Sequence, residues 1–311
     1  MSNKILVTDS LFIGKEHEYL LNSAGYEIER LDTPLASEAE LKEAIQGKVG
    51  YILGGIEKVT SEVIGSADTL KVIAFTGADW RQFIPGYETA RNRGIAITNT
   101  PGANTGAVSE YTLALMLAMV RRLPELCGLG GMKFLTTNSL SNMTVGIVGM
   151  GRIGSRVAYL LKAFGVQKIL YTSRTRKLNL EETLGITYCS LEELFKESDL
   201  ITLHASKEAG AGFISATELG LMKDKAVIIN CGFTGAIDAD ALFSELLTGR
   251  LRAAQDDPMD DRFQLLPVGN WLCSNSHTAF NTYQANRLAS DMATQSIINI
   301  LKGLTDPYMV L

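Results

Sequence analysis

A glycine-rich segment between a predicted strand and a predicted helix constrains the fold of this chain more than any other feature. The segment runs from Gly149 to Gly154 and has the pattern GxGxxG, spelled GMGRIG. Residues 144–148 before it form an apolar strand pattern, and residues 152–164 after it have amphipathic helical periodicity. This succession of strand, glycine turn and helix is typical of a parallel α/β sheet that binds a dinucleotide.

Each glycine of the loop has its own physical role. Gly149 allows the tight turn, Gly151 lets the backbone approach a pyrophosphate, and Gly154 lets the helix pack close to the strand. The first N–H groups of the helix have no partner inside it and can bind the anion. The predicted cofactor contacts here are Gly149, Gly151, Arg152, Ile153 and Gly154. A glycine-rich turn in another α/β fold is the alternative interpretation.

Two successive series of strand and helix patterns run along the 311 residues. The first series has strand patterns at residues 4–7, 27–30, 50–53 and 71–75. The second starts at residues 144–148 and repeats through 168–172, 186–188, 200–203, 226–230, 253–256 and 271–273. A complete dinucleotide-binding sheet needs six strands in order, and the seven patterns of this second series include that number. The predicted fold class is therefore α/β, with two Rossmann-like parallel-sheet domains.

Composition and charge exclude several classes of protein. The chain has a formal net charge of −5, whereas a nucleic-acid surface needs a concentrated cationic face. No run of about 18 apolar residues exists, and the apolar run at the start is too short for a signal peptide. The four cysteines lie far apart without a CxxC pair, which indicates neither a zinc site nor a disulfide framework. We expect a cytoplasmic protein with a small-molecule substrate and no metal, nucleic-acid or membrane partner.

The segment after the second strand of the cofactor series indicates which dinucleotide binds. NAD-binding sites usually have an acidic residue about 20 positions after the loop, where it holds the ribose 2′-hydroxyl. Here Ser173 takes that place, followed by Arg174, Thr175 and Arg176. A guanidinium can pair with a 2′-phosphate that a carboxylate would repel. The sequence therefore predicts NADP(H) as the preferred cofactor, with NAD(H) possible. A solvated turn with incidental charge is the alternative.

From about Thr76 onward the chain resembles the D-isomer-specific 2-hydroxyacid dehydrogenase family. The resemblance rests on the crossover at residues 94–104, the loop TVGIVGMGRIG at 144–154 and LGLMKDKAVIIN at 219–230. It covers about three-quarters of the chain, and the motifs occur in the family's order. What it implies is an NAD(P)-dependent oxidoreductase.

The resemblance also implies a domain organisation. The cofactor domain, residues 101–283, is expected to be inserted in a flavodoxin-like substrate domain of residues 1–100 and 284–311. The family further implies a homodimer that forms largely through the cofactor domain. An apolar helix predicted at Val108–Arg122 is compatible with that interface, because a helix that is apolar nearly all round must be covered on most faces.

Two of the family's three catalytic groups carry over by position. His277 matches the family's histidine, which donates a proton to the carbonyl being reduced, although Ser276 replaces the preceding proline. Asp261 falls where the family has a glutamate that pairs with the histidine and raises its pKa. Asp256 matches an aspartate that contacts the nicotinamide carboxamide. Alternatively, the acidic residues form a solvated loop and His277 is a surface or packed histidine.

The family's third group, an arginine that grips the substrate carboxylate, is missing. The pattern Asn-x-x-Arg-Gly reads NCGFT at residues 230–234, so Phe233 occupies the arginine position. Phenylalanine offers apolar area and no hydrogen-bond donor. The loop whose counterpart binds the substrate carboxylate contributes Gly77 and Ala78, with Arg81 as a candidate replacement cation. Further predicted cofactor contacts are Ser206, Cys231 and Gly232.

Three functions follow from these residues. The first is an NADPH-dependent reductase of a carbonyl or imine that is not an ordinary 2-keto acid. The second is a 2-keto acid or glyoxylate reductase with a substitute carboxylate clamp. The third is a catalytically inactive nucleotide-binding regulator or scaffold. The first is favoured, because a decaying site has no reason to retain a matched histidine and acid.

Overall fold

The computed structural model of the protein describes residues 2–8, 12–33, 35–128, 134–274 and 276–311. The chain forms two compact units. The first unit consists of Met1–Asn104 and Thr282–Leu311, and the second unit consists of Thr105–Asn281. The sequence analysis places the corresponding boundaries at residues 100 and 283, and the functional assignment of each unit stays a prediction.

The first unit contains a parallel sheet of five strands in the order β2-β1-β3-β4-β5, which is the flavodoxin-like order. Its strands are β1 (Lys4–Thr8), β2 (Glu27–Leu31), β3 (Lys48–Leu53), β4 (Val72–Phe75) and β5 (Ala96–Thr98). The helices between them are α1 (Lys15–Ser23), α2 (Glu38–Ala44), α3 (Ser61–Ser66) and α4 (Tyr87–Asn92). The sequence analysis does not identify β5 as a strand, because its three residues lie inside the crossover motif.

The burial of these strands follows their position in the sheet. Every residue of β3 and β4 is buried, as expected of inner parallel strands covered on both faces. The edge strand β2 has the sequence EIERL and keeps its charged side chains partly exposed. Charged side chains on an edge discourage pairing with another chain.

The second unit contains a parallel sheet of seven strands in the order β12-β11-β10-β9-β6-β7-β8. Its strands are β6 (Val145–Val148), β7 (Ile169–Thr172), β8 (Thr187–Tyr188), β9 (Leu200–Leu203), β10 (Val227–Asn230), β11 (Arg252–Gln255) and β12 (Trp271–Cys273). The order is that of a dinucleotide-binding sheet with β12 added at one edge. It reverses between β6 and β9, and ligands of such sheets bind outside the carboxyl ends of the strands at this point.

The helices of the second unit cover both faces of its sheet. They are α5 (Thr105–Val120), α6 (Leu123–Gly128), α7 (Arg152–Ala163), α8 (Leu178–Leu184), α9 (Leu191–Glu197), α10 (Ala216–Leu221) and α11 (Ala239–Leu247). Helices α9 and α11 are capped by Ser190 and Asp238, whose side chains accept backbone N–H groups of the first turn. The apolar helix predicted at residues 108–122 is α5, which packs against α7, β10 and β11.

The last helix, α12 (Tyr283–Leu301), returns to the first unit and packs against β3, β4 and α1. A buried imidazole joins it to α1. His17 accepts the N–H of Gly14 at Nδ1 (3.0 Å) and donates from Nε2 to Asp291 (2.9 Å). Among the described residues, none of the helices has both the length and the apolar character needed to cross a bilayer.

Candidate functional site

The glycine loop between β6 and α7 has the geometry that a dinucleotide site requires. Gly149 has a φ of +96°, and a Cβ atom there would lie 2.6 Å from the carbonyl oxygen of His204. A Cβ atom on Gly154 would lie 2.0 Å from the carbonyl oxygen of Gly149. A Cβ atom on Gly151 would meet nothing within 4 Å. The fold therefore requires glycine at 149 and 154, whereas Gly151 borders open space where the sequence analysis predicts the pyrophosphate.

Alanine substitutions in the loop are expected to separate folding from cofactor binding. Gly154→Ala should destabilise the protein by about 1–3 kcal/mol, because its Cβ would clash with backbone. Gly151→Ala should change the free energy of unfolding by less than about 1 kcal/mol. It should nevertheless weaken NADPH binding, because the new methyl group occupies the space next to the loop. Thermal unfolding and fluorescence titration with NADPH measure the two effects, and unaltered NADPH binding by Gly151→Ala would contradict this placement.

His204, at the end of β9, lies beside the glycine loop and is not identified by the sequence analysis. Its Nε2 lies 3.1 Å from the hydroxyl of Thr202, and burial lowers its pKa to about 4. Its buried Nδ1 has no hydrogen-bond partner within the described part of the chain. A buried ring nitrogen without a partner needs an explanation. A bound ligand at the switch point would supply one.

The remaining predicted contacts near the loop lie at the carboxyl edge of the second sheet. Arg152 is the exposed first residue of α7. Ile153 is half-buried, and its carbonyl accepts a hydroxyl hydrogen from Ser109 at 3.5 Å. Ser206 is exposed and precedes a short 3₁₀ helix. These positions leave Arg152 and Ser206 accessible to a ligand.

The segment after β7 contains one accessible guanidinium and one that is already paired. Arg174 is exposed and has no ion pair with another described residue. Arg176 donates from Nε and Nη2 to the two oxygens of Glu181 at 2.9 and 2.7 Å. The predicted contact between Arg176 and the cofactor stays a prediction, although Glu181 already binds its guanidinium. Arg174 is therefore the guanidinium of this segment that has no bonded carboxylate among the described residues.

A tyrosine on β7 reinforces the pairing of Arg176 with Glu181. The hydroxyl of Tyr171 donates to Glu181 (2.7 Å) and accepts the backbone N–H of Lys177 (2.7 Å). Hydrogen bonds from Arg176 and then Tyr171 lower the pKa of Glu181 to about 2. The Ser173 hydroxyl donates to the carbonyl of Thr175 at 2.7 Å, which closes the turn.

The turn after β10 lies against the end of β9. A Cβ atom on Gly232 would lie 3.1 Å from the carbonyl oxygen of Ala205, so a larger residue would push the two segments apart. The backbone N–H of Gly232 donates to the side chain of Asn230 at 3.0 Å. Burial raises the pKa of Cys231 to about 12, so its thiol stays protonated. Cys231 and Gly232 thus lie at the carboxyl edge where the sequence analysis expects the cofactor.

Phe233 ends this turn with its side chain folded back on the protein. Its ring lies so close to Gly235 that a Cβ atom there would be 2.6 Å from the ring. The ring also packs against the buried cluster that includes Ile214, Ile237 and Leu242. Its backbone carbonyl accepts the side-chain N–H of Asn230 at 3.1 Å. This position therefore presents apolar surface and no positive charge.

His277 pairs with Asp257, not with Asp261 as the sequence analysis predicts. Its Nδ1 lies 2.6 Å from Oδ1 of Asp257 and 3.5 Å from Oδ2 of Asp256. The other oxygen of Asp257 accepts the hydroxyl of Thr234. Asp261 lies further along, exposed at the start of a 3₁₀ helix. Asp257 lies close to the end of β11 and is therefore held at the edge of the sheet, whereas Asp261 is four residues further from that anchor.

Asp256 holds the backbone that carries His277. Its carboxylate, buried to 4% exposure, accepts the backbone N–H groups of Thr278 (3.1 Å) and Ala279 (3.0 Å). The hydroxyl of Ser274 donates to the carbonyl of Asp256 at 2.6 Å. Asp256 therefore binds Ser274, Thr278 and Ala279 inside the protein. The predicted contact between its carboxylate and the nicotinamide carboxamide stays a prediction.

Buried amides connect the two turns of the site, and sequence reasoning did not find them. Asn230 donates to the side chain of Gln255 at 3.1 Å, and Gln255 donates to the backbone carbonyl of Asp257 at 2.8 Å. Asn230 and Gln255 are 2% and 1% exposed. A polar residue at the end of an otherwise apolar strand is the signal that could have identified both.

The substrate candidates Gly77, Ala78 and Arg81 lie in the first unit, after β4. A Cβ atom on Gly77 would lie 2.6 Å from the ring of Phe75. The carbonyl of Ala78 accepts the side-chain N–H of Asn99 at 2.8 Å. Within the described residues, neither Gly77 nor Ala78 donates its backbone N–H to a backbone carbonyl. The guanidinium of Arg81 lies 4.5 Å from the centroid of the Trp80 ring.

The side chains of Asp256, Asp257 and His277 could also hold a metal ion. Their donor atoms all lie within 4.8 Å of one another. The imidazole–carboxylate hydrogen bond and the backbone contacts of Asp256 explain the same geometry without an ion. Proton transfer is the simpler use of this cluster.

Comparison with known proteins shows the family. The family model described as D-isomer specific 2-hydroxyacid dehydrogenase, NAD binding domain, matches residues 113–278, more than half of the chain. The chain belongs to this family. It is therefore an NAD(P)-dependent oxidoreductase with a nicotinamide cofactor, and the resemblance seen in the sequence is confirmed.

Similar proteins match this dehydrogenase-family chain over nearly its whole length. A glyoxylate reductase from Aeropyrum pernix is 32% identical over 93% of this chain and 91% of its own. The TT0316 protein from Thermus thermophilus has a TM-score of 0.86 and 31% identity, covering 99% of this chain and 100% of that one. An acyclic imino acid reductase solved with NADPH and D-Arg has a TM-score of 0.83 and 26% identity, with the same coverage. The predicted fold of two parallel-sheet α/β domains is confirmed.

The imidazole of this dehydrogenase-family chain is suited to holding a proton. The hydrogen bond to Asp257 raises the pKa of His277. Burial lowers this pKa, whereas the charges of Asp257 and Asp256 raise it further. The hydrogen bond from His277 lowers the pKa of Asp257, burial opposes this, and the Thr234 hydroxyl lowers it further. The pair therefore favours a protonated imidazole beside an ionised carboxylate.

Proposed function

We propose that the protein is an NADPH-dependent reductase of carbonyl or imine substrates other than ordinary 2-keto acids. The observation that carries this proposal is Phe233, at the position where the family resemblance implies a carboxylate-binding arginine. Its ring packs over Gly235 and against buried apolar side chains. An apolar group next to the reactive C=O or C=N bond suits such a surface better than a carboxylate, whose burial without a partner is costly.

In this proposal the protein's own residues hold and deliver a proton. When bound, the reduced nicotinamide supplies hydride to the carbon of the C=O or C=N bond. His277 donates its Nδ1 hydrogen to Asp257, so the protonated ring carries a second hydrogen at Nε2 for the substrate oxygen or nitrogen. Thr234 holds Asp257, and Asp256 holds the backbone of the histidine loop. These contacts keep the imidazole in one orientation.

The preference for NADPH over NADH rests on Arg174. Its guanidinium is exposed next to the turn that carries Ser173, where NAD-binding members of this fold class have a carboxylate. The similar imino acid reductase was solved with NADPH, which agrees with this preference. The paired Arg176 is not needed for it.

Arg174→Ala is expected to raise the dissociation constant of NADPH about tenfold or more, because it removes a charge-assisted bond of about 1.5–3 kcal/mol. The dissociation constant of NADH should stay unchanged. The matched control is the double variant Arg176→Ala with Glu181→Gln, which removes the neighbouring ion pair without changing the net charge. Fluorescence titration with both cofactors measures the effect. If Arg174→Ala weakened the binding of NADPH and NADH equally, the guanidinium would not bind the 2′-phosphate.

The rate of reduction is expected to fall as pH rises through the pKa of His277, because only the protonated imidazole can donate. The wild-type pKa is raised by Asp257, so the falling limb of the pH–rate profile should lie above that of a free imidazole. Asp257→Asn removes the main cause of the shift and should move the limb to lower pH. Initial rates at saturating NADPH across neutral pH measure this. An unmoved limb would mean that Asp257 does not set the proton affinity of His277.

A substrate panel tests the proposed reaction. NADPH oxidation is followed with aldehydes, cyclic imines, glyoxylate and pyruvate at matched concentrations. Faster turnover of the substrates that lack a carboxylate next to the reactive carbon is expected. A clear preference for glyoxylate or pyruvate would overturn the proposal and favour the second candidate.

The second candidate is glyoxylate or 2-keto acid reduction with a substitute clamp. The similar glyoxylate reductase from Aeropyrum pernix favours it. In the first unit, the N–H groups of Gly77 and Ala78 are available to a carboxylate, and Arg81 is a cation on the same loop. Loss of glyoxylate turnover in Arg81→Gln would identify this residue as the clamp.

We also propose that the protein acts as a homodimer that forms through the second unit. Phe134 of this unit is 96% exposed, and an aromatic side chain in water is suited to an interface. The proposal is independent of the substrate.

A further inference from the structure

A cavity lies in the second unit at the amino ends of the sheet strands, whereas the candidate site lies at their carboxyl ends. Its volume is about 290 Å³. It is bordered by Lys225 just before β10, Arg252 at the start of β11 and Asn270 just before β12. The residues around His277 instead follow the carboxyl ends of these strands. The remaining lining residues are Val120, Arg122, Glu125, Thr136, Thr137, Asn138 and Gly249.

The cavity has more positive than negative charge. Of its lining residues in the described part of the chain, three are cations, and Glu125 is the carboxylate among them. Glu125 is already bound to Arg122 through both oxygens, one of them at 2.5 Å from Nη2. Arg252 and Lys225 donate to uncharged carbonyl groups, of Met119 (2.9 Å) and Gly249 (2.6 Å). Two cations therefore border the cavity with their charge not neutralised by a bonded carboxylate.

The surroundings of Arg252 disfavour its positive charge. Burial lowers its pKa, and the nearby charge of Arg122 lowers it further, while Glu125 opposes the change. A partly buried guanidinium next to a second guanidinium is unfavourable unless anions compensate for both charges, and Glu125 is bonded to Arg122 only. The charge of Arg252 therefore lies without a bonded carboxylate at the wall of an open cavity.

The wall of the cavity also carries hydroxyl groups. A Cβ atom on Gly269, which has a φ of +93°, would lie 2.2 Å from Cγ of Glu125, so glycine makes room for that side chain. The hydroxyl of Thr137 accepts Nε of Arg121 at 3.0 Å and keeps its own hydrogen for another acceptor. Thr136 adds a second hydroxyl to the lining. Guanidinium, ammonium and hydroxyl donors together match the oxygens of a phosphate group.

We propose that this cavity binds a small phosphate-bearing anion at a site separate from the nicotinamide and the substrate. Arg252, Lys225 and the Thr137 hydroxyl would contact the phosphate oxygens. The volume exceeds that of a phosphate ion, so a short organic group can accompany it. Free phosphate and a phosphate monoester share this chemistry. The proposal is independent of the reaction assigned to His277.

Isothermal titration of the full-length protein tests the proposal. The protein is first saturated with NADPH, so that the phosphates of the cofactor occupy the glycine loop and the segment around Arg174. Inorganic phosphate and glycerol 3-phosphate are then titrated separately, and their relative affinities distinguish the two sources. Saturable binding is expected, weakened about tenfold or more in Arg252→Gln and in Lys225→Gln. The control Lys196→Gln, a surface cation paired with Glu192 on α9, should bind like the wild type.

Two results would overturn this inference. One is the absence of saturable binding of both probes to the NADPH-saturated wild type. The other is binding that Lys225→Gln leaves unchanged, since Lys225 is exposed and its substitution should not affect folding. Comparison of the thermal unfolding of Arg252→Gln with that of the wild type shows whether the loss of its bond to Met119 has altered the fold.

Discussion

A His277→Gln variant is expected to turn over its substrate about 10²–10⁴-fold more slowly than the wild type, with unchanged affinity for NADPH. In the proposed reaction His277 supplies the proton from Nε2, while Nδ1 is bound to Asp257. Glutamine can donate a hydrogen bond but cannot transfer a proton at neutral pH. Steady-state kinetics at saturating NADPH and a separate NADPH titration measure the two quantities.

The matched control for this prediction is Asp261→Asn. The sequence analysis assigns Asp261 as the partner of His277, whereas the structure places Asp257 there. Asp261→Asn should therefore leave kcat close to that of the wild type, and Asp257→Asn should lower it. A histidine variant that turns over normally would remove His277 from the reaction. Loss of activity in Asp261→Asn alone would restore the family's arrangement.

Phe233→Arg is expected to increase kcat/KM for glyoxylate by roughly 30-fold or more, because a buried guanidinium–carboxylate pair contributes about 2–5 kcal/mol. The substitution places a bidentate donor at the position where the family resemblance implies one. The new side chain must leave the apolar contacts over Gly235, so some loss of thermal stability should accompany the gain. Initial rates with glyoxylate and an uncharged aldehyde measure the change in preference.

Phe233→Leu is the control that separates charge from space. It removes the ring without adding a donor, so glyoxylate turnover should not rise. Equal gains in the two variants would mean that the ring merely blocks the substrate. No gain in Phe233→Arg, with NADPH binding intact, would show that the carboxylate is bound elsewhere or that the rest of the machinery does not accept it.

The strand and helix series could be read from the sequence because they depend on local patterns. Apolar runs such as β6 and the glycine loop specify their geometry through hard-sphere constraints on a few consecutive residues, as the φ of Gly149 shows. Strand β5 was missed because three residues inside a motif give too little periodicity. The seven strands of the second unit follow the predicted series, with β12 beyond the six required.

The polar contacts of the site could not be read in the same way. Asp257 and Asp261 carry the same group four residues apart, and the end of β11 decides which of them reaches His277. Arg174 and Arg176 are equally cationic in the sequence. The approach of Glu181 from α8 occupies Arg176 and leaves Arg174 accessible. Each choice depends on a residue brought near by the fold.

The α/β architecture and the position of the glycine loop were thus evident from the chain alone, since they depend on residue type and short-range spacing. Three further features emerged with the folded molecule: the carboxylate that holds His277, the arginine that has no bonded carboxylate, and the cations around a cavity at the amino-terminal edge of the second sheet. Such pairings join groups distant in sequence, and their energies depend on separations of a few ångströms that no local pattern encodes.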